Sequence, residues 1–204
     1  WSLLNTGQAS GIENEDIFAP EAWKIQSTSP DVVVAVIDSG IRTTHEDLRN
    51  NIWINPHEIS GNGIDDDRNG YVDDVNGWNF FENSNRWNPQ AHGTHVAGLI
   101  AAEGNNSRGI AGVTWDAQLM CLNVANTEQG MSWGDVFSAV RYAADNGASV
   151  INMSLGGTLN YTDLDSFKRK YPVDYEIVYD ALNYAVSKGC VVVCAAGNDR
   201  LNTE

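Results

Sequence analysis

The chain has 204 residues, 42% of them hydrophobic, which is enough for one sizeable core and predicts a single domain over 1–204. Its net charge is −15, from 12 basic and 27 acidic residues, which excludes the basic footprint of a nucleic-acid binder or of a protein drawn to anionic membranes. No apolar run approaches the roughly 20 residues of a membrane span, so neither nucleic acid nor membrane is an expected partner.

Residues 1–30 read as an irregular arm punctuated by Asn5, Gly7, Gly11 and Pro20, with a short helix predicted over 20–25. The opening WSLLNTGQ lacks a basic region followed by an apolar one, so a secretory signal is expected to be absent or already removed. Residues 31–37, DVVVAVI, form a continuous β-branched run of the kind that is buried on both faces of a parallel sheet. The run stops at Asp38-Ser39-Gly40. Residues 41–90 are polar and loop-rich, with Trp53, Trp78 and Trp87 as anchors.

The segment 91–102, AHGTHVAGLIAA, predicts a short buried helix whose small residues Gly93, Ala97 and Gly98 permit close approach to neighbouring backbone. Its N-terminus carries free N–H groups and partial positive charge, so a histidine there asks for a carboxylate partner. Further strands are predicted over 118–124, 149–153 and 190–196, and helices over 135–146 and 174–188, stopped by Gly147 and Gly189. Strands alternating with helices predict a three-layer α/β fold: a parallel sheet with helices on both faces and right-handed crossovers. Ligands meet such sheets at the carboxyl ends of the strands, where Asp38, Ser154 and Asn198 fall.

Three cysteines, Cys121, Cys190 and Cys194, cannot all pair with one another and are expected to be buried free thiols. They leave the compartment open. Asp38 reads either as a buried carboxylate in need of a partner or as a turn aspartate before Ser-Gly. A phosphoryl-transfer aspartate would want a second carboxylate two residues on, where Gly40 stands. His92 and His95, three apart, are not followed by the glutamate of an H-E-x-x-H zinc helix, and His45 and His57 offer no ligand spacing. One histidine bonded to a buried carboxylate is instead what activation of a nucleophile requires.

Residues 61–74, GNGIDDDRNGYVDD, contain five aspartates. Asp65, Asp67 and Asn69 alternate before Gly70 as in the opening of a calcium loop, and the Tyr71 carbonyl with Asp73 or Asp74 would complete an oxygen shell. Position twelve is Asn76 rather than a bidentate glutamate, so the loop is calcium-like without being an EF-hand. Clustered carboxylates repel one another without a cation. Calcium is the expected ligand.

Four segments in order, VVVAVIDSGI, HGTHVAGLIAA, VINMSLGG and VVVCAAGND, resemble the landmarks of the subtilisin-like serine proteases, the subtilases, from residue 32 to residue 199. The resemblance implies a subtilisin-like fold in which Asp38 orients the imidazole, His92 is the base and His95 is structural. Asn198 would be the oxyanion donor, against an alternative as a turn residue. Ser154, Leu155 and Gly156 would form an extended edge that pairs with the backbone of a polypeptide substrate. Trp133, Val136 and Leu155 would line an apolar pocket, or equally belong to the core. A second calcium site is implied at Asp47 with the loop of Glu103, Asn106, Arg108 and Ile110, joined by Gln8. That loop is one residue longer than the family pattern, and an insertion at 159–171 has no derived role.

None of the serines stands in the family's G-T-S-x-A nucleophile segment. The expectation is therefore a domain incomplete at its C-terminal end, inactive alone, whose serine comes from a missing C-terminal segment, as further chain or as a separate chain. The reading is a secreted, calcium-stabilised serine endopeptidase; the alternative is a catalytically inactive binding or scaffold domain.

Overall fold

The computed structural model describes residues 2–126, 130–156 and 164–198. Along the chain lie α1 (Ala19–Trp23), β1 (Val33–Asp38), β2 (Gly77–Asn79), α2 (Ala91–Ala101), β3 (Gln118–Asn123), β4 (Ala125–Asn126) and β5 (Gly130–Met131). They are followed by α3 (Trp133–Asp145), β6 (Val150–Met153), α4 (Leu164–Lys170), α5 (Pro172–Ser187) and β7 (Val191–Cys194). Five strands form a parallel sheet in the order β2-β3-β1-β6-β7, and β4 and β5 make a small antiparallel pair beside it.

The β-branched run becomes the central strand because both of its faces find a layer. Val34 and Val36 point to one side and pack with Leu119, Cys121, Ala97 and Ala101, which is the α2 layer. Ala35 and Ile37 point to the other and pack with Met120, Leu122, Val136, Val140, Ala181 and Ala185, which is the α3 and α5 layer. The alternation follows from the two-residue period of a strand. The predicted three-layer sheet is therefore present.

Four features depart from the sequence reading. β2 lies inside the stretch predicted as loop: Trp53 N donates to Leu119 O and Asn76 Nδ2 to Trp53 O, which brings Gly77–Asn79 alongside β3. Gly77 has φ +113°, and a Cβ there would sit 2.1 Å from the Cys121 carbonyl oxygen, so the close pairing needs glycine. α3 starts two residues earlier than predicted, at Trp133, after Ser132. The predicted insertion at 159–171 contributes α4, while its residues 159–163 lie outside the described residues.

The fourth departure concerns Cys194. It was expected to be buried with the other thiols, and Cys121 and Cys190 are, but Cys194 is exposed. Among the described residues its strand is the last in the sheet order, and Val191 and Val193 on the same strand are also exposed. A terminal strand has a neighbour on one side only, so its residues lack the cover that the central strands enjoy.

Candidate active site

Asp38 ends β1 at the carboxyl edge of the sheet and is 3% exposed. Its backbone is fixed by β3, since Asp38 pairs in register with Asn123 and its carbonyl accepts from Val124 N. The helix α2 runs across this edge with its N-terminus aimed at the carboxylate. Gly93, in its first turn, lets that approach occur: a Cβ would lie 2.4 Å from Gly40 O and 3.1 Å from Asp38 Oδ1.

His92 Nδ1 lies 2.8 Å from Asp38 Oδ1. A carboxylate oxygen accepts, so Nδ1 carries the proton and Nε2 is left with a free lone pair. The imidazole is 58% exposed, so Nε2 faces open solvent while the aspartate is buried beneath it. That is the disposition of a general base oriented by a carboxylate.

Asn198 follows β7, four residues beyond Cys194, and is exposed. The register Val36↔Asn152 and Met153↔Cys194 brings Asp38, Ser154 and the residues after Cys194 to the same edge of three adjacent strands. At about 4.8 Å per strand, β1 and β7 are roughly 10 Å apart. Ser154 accepts from Asn152 Nδ2, Leu155 packs partly against the core, and Gly156 is exposed.

Trp133 is 45% exposed and stacks on Phe137 with ring centroids 5.9 Å apart. Val136, three residues on, is wholly buried in the core with Ala139 and Val140. Of the two readings of Val136, pocket wall or core, this burial fits the core. His95 is exposed and lines a separate open groove with Arg42, His45 and Thr94.

The acidic loop gathers a different carboxylate set from the one predicted. Glu58, Asp65 and Asp67 each offer an oxygen within 4.8 Å of the others, a spacing that suits one calcium at 2.3–2.6 Å per ligand. Glu58 Oε1 accepts from Asp66 N and Asp67 N, while its buried Oε2 has no partner among the described residues. An orphaned carboxylate oxygen beside two further carboxylates fits a bound cation, which would supply the missing charge. Burial pushes the Glu58 carboxyl above its ordinary range.

Asp74 is the correction. It is fully buried and faces the core, accepting from Tyr142 Oη, Asn55 Nδ2 and Asn69 Nδ2, and burial raises its pKa. Asn69 is also better described as a brace: its Nδ2 donates to Asp67 and Asp74, and its Oδ1 accepts from Tyr71 N. The Tyr71 ring packs against Trp78, Phe80 and Tyr142. Asp73 instead holds a turn, accepting from Gly61, Asn62 and Gly63 N. Glu58 was missed because it lies outside the alternating aspartate pattern; the chain returns to it only through folding.

At the second predicted cation position, Asp47 is 2% exposed and accepts from Asn106 Nδ2 at 2.7 Å and Ile110 N at 3.0 Å. Glu103 N donates to the Asp47 carbonyl, and Arg108 N to Asn106 Oδ1. The fold thus assembles Asp47, Glu103, Asn106, Arg108 and Ile110, with Asn106 presenting its amide nitrogen to the carboxylate. Gln8 is not joined to them by any hydrogen bond among the described residues. Its oxygen accepts from Thr6 N and Oγ1, and its Nε2 donates to Leu4 O, because a side chain in an irregular arm satisfies itself locally.

The profile described as "Subtilase family" matches residues 29–204. Thermitase of Thermoactinomyces vulgaris is 36% identical over 185 residues, covering 90% of this chain and 53% of that protein. The major intracellular serine protease of Bacillus subtilis is 35% identical, covering 90% of this chain and 48% of that one. Among solved structures, a protease of Pseudoalteromonas arctica superposes with a TM-score of 0.63 at 32% identity, covering 90% of this chain and 54% of its own. The chain spans about half the length of these curated relatives. They extend beyond the matched part within one chain, so the comparisons lend no support to a serine arriving on a separate chain.

Proposed function

The chain belongs to the subtilase family, and from that membership we propose that it supplies the acid, base and oxyanion donor of a serine endopeptidase. The observation that carries this reading is the bond between a buried Asp38 and an exposed His92, with Nε2 left open. In the complete protein a serine hydroxyl from the family's G-T-S-x-A segment gives its proton to His92 Nε2 as its oxygen attacks a peptide carbonyl. Asp38 holds the imidazole in the Nδ1–H tautomer and stabilises the imidazolium that forms. The Asn198 amide donates to the oxyanion, and His92 then returns the proton to the departing amine. Water repeats the cycle on the acyl-enzyme. An extended polypeptide lies along Ser154–Gly156, with Trp133 and Leu155 beside it.

Calcium belongs to the same proposal. Glu58, Asp65 and Asp67 would hold one ion, and Asp47 with the carbonyls of Glu103, Arg108 and Ile110 and the side chain of Asn106 would hold another once that amide presents its oxygen. The ions neutralise clustered carboxylates and tie loops together. Extracellular calcium levels favour such sites, so secretion is proposed with them. The test is hydrolysis of a peptide substrate by the complete protein, irreversible inactivation by a serine-directed fluorophosphonate, and recovery of activity from the culture medium. Resistance to the fluorophosphonate would overturn the serine mechanism, and activity confined to cells would overturn secretion.

A further inference from the structure

Ser39 follows Asp38 and faces the first turn of the helix that carries His92, and its hydroxyl has two partners. Its Oγ lies 3.1 Å from Asp38 Oδ1, and Gly93 N donates to the same Oγ at 3.4 Å. Gly93 N is one of the N–H groups that the first turn of α2 cannot satisfy internally, and Gln90 at the N-cap position provides no side-chain cap. Since Ser39 Oγ accepts from the helix, its own proton is directed to the carboxylate. The Ser39 backbone N–H donates to Asp38 Oδ1 as well, at 2.7 Å. One carboxylate oxygen therefore receives three donors, the third being His92 Nδ1, while Oδ2 is buried with no partner among the described residues. Ser39 is 7% exposed, so water does not compete for these bonds.

We infer that Ser39 is a positioning residue of the active site: its hydroxyl caps α2 from outside the helix and locks the Asp38 carboxylate against His92. This inference rests on the peptidase reading above. The cap ties the helix that carries His92 to the turn that carries Asp38, so one hydroxyl sets both the distance and the carboxylate rotamer. The same bond draws negative charge away from the oxygen that faces the imidazole. Ionisable groups around the helix mouth are Asp38, then Arg42, His45, Asp47 and His95 along the neighbouring groove, and among the described residues Asp38 alone is bonded to His92.

The test compares Ser39→Ala and Ser39→Thr with the unaltered complete protein. Ser39→Ala is expected to lower kcat about ten- to hundred-fold with KM nearly unchanged, as a loosened catalytic geometry does. It should also move the acid limb of kcat/KM to higher pH, because a carboxylate with one donor fewer holds the imidazolium more strongly. Ser39→Thr, which keeps the hydroxyl, is expected to restore both. The titration of the His92 ring protons by NMR must shift in the same direction in Ser39→Ala, a reading that needs no proteolysis. An unchanged NMR titration and pH profile in Ser39→Ala would overturn the inference, as would failure of Ser39→Thr to restore them. Absence of proteolysis in the unaltered protein would overturn the peptidase reading instead, with the NMR shift left to judge Ser39.

Discussion

His92 Nδ1 and Asp38 Oδ1 stand 2.8 Å apart although 54 residues separate them in the chain. One closes the central strand of the sheet and the other opens the helix that crosses its carboxyl edge. The pairing resolves two local problems together. A buried carboxylate gains a donor, and a histidine at the positive end of a helix gains a compensating charge.

Substitution of this pair is expected to separate its two roles. In the complete protein His92→Ala should abolish peptide hydrolysis, since no other group takes up the nucleophile's proton. Asp38→Asn should keep the fold and lower kcat by about 10⁴-fold, because the amide stabilises the wrong tautomer. Steady-state kinetics on a peptide substrate measure both, and full activity in His92→Ala would reassign the base.

Gly93→Ala places a methyl group 2.4 Å from Gly40 O, against backbone that cannot withdraw. The helix must shift, at a cost of about 1–3 kcal/mol in stability, and the His92–Asp38 geometry must loosen with it. Denaturant unfolding reads the first effect and kcat the second. An unaltered midpoint would mean that α2 does not depend on contact with the Asp38–Gly40 turn.

Calcium should raise the melting temperature relative to EDTA, by an amount equivalent to about 2.7 kcal/mol at a hundredfold excess over Kd. Glu58→Gln should remove part of that increment while leaving the melt in EDTA little changed, since among the described residues its Oε2 has no partner to lose. Identical melting of the unaltered protein in calcium and EDTA would remove the cation from the account.

Tyr142→Phe deletes the hydroxyl that donates to the buried Asp74 and should cost about 1–3 kcal/mol near neutral pH. The pH dependence has a definite sign. Burial already raises the Asp74 pKa in the folded state, and loss of the Tyr142 donor raises it further. A carboxyl raised on folding contributes stability that is complete below its unfolded pKa and is lost as pH climbs through the folded one. The gap between variant and unaltered protein should therefore narrow in acid, as Asp74 takes up its proton. Urea titrations at several pH values check this; a gap that widens in acid would show that Asp74 is not the group responsible.

The central strands and the helices over them were legible from the order of residues alone. β-branched runs and helical spacing are local signals, and each here coincides with a layer that buries it, as Val34 and Val36 against Ala35 and Ile37 illustrate. Asp38 and His92 were legible for the same reason, since each stands at the end of a regular element. Packing alone decided which side chains in the irregular segments meet. Glu58 joins Asp65 and Asp67 while Asp74 turns inward to Tyr142, Gln8 stays within its own arm, and Val136 enters the core. Cys194 emerges at a sheet edge, and Ser39 becomes the link between helix and carboxylate. Loops have no repeat from which direction can be read, and a hydrogen-bonding side chain there is directed by whichever donor or acceptor the fold brings within about 3 Å.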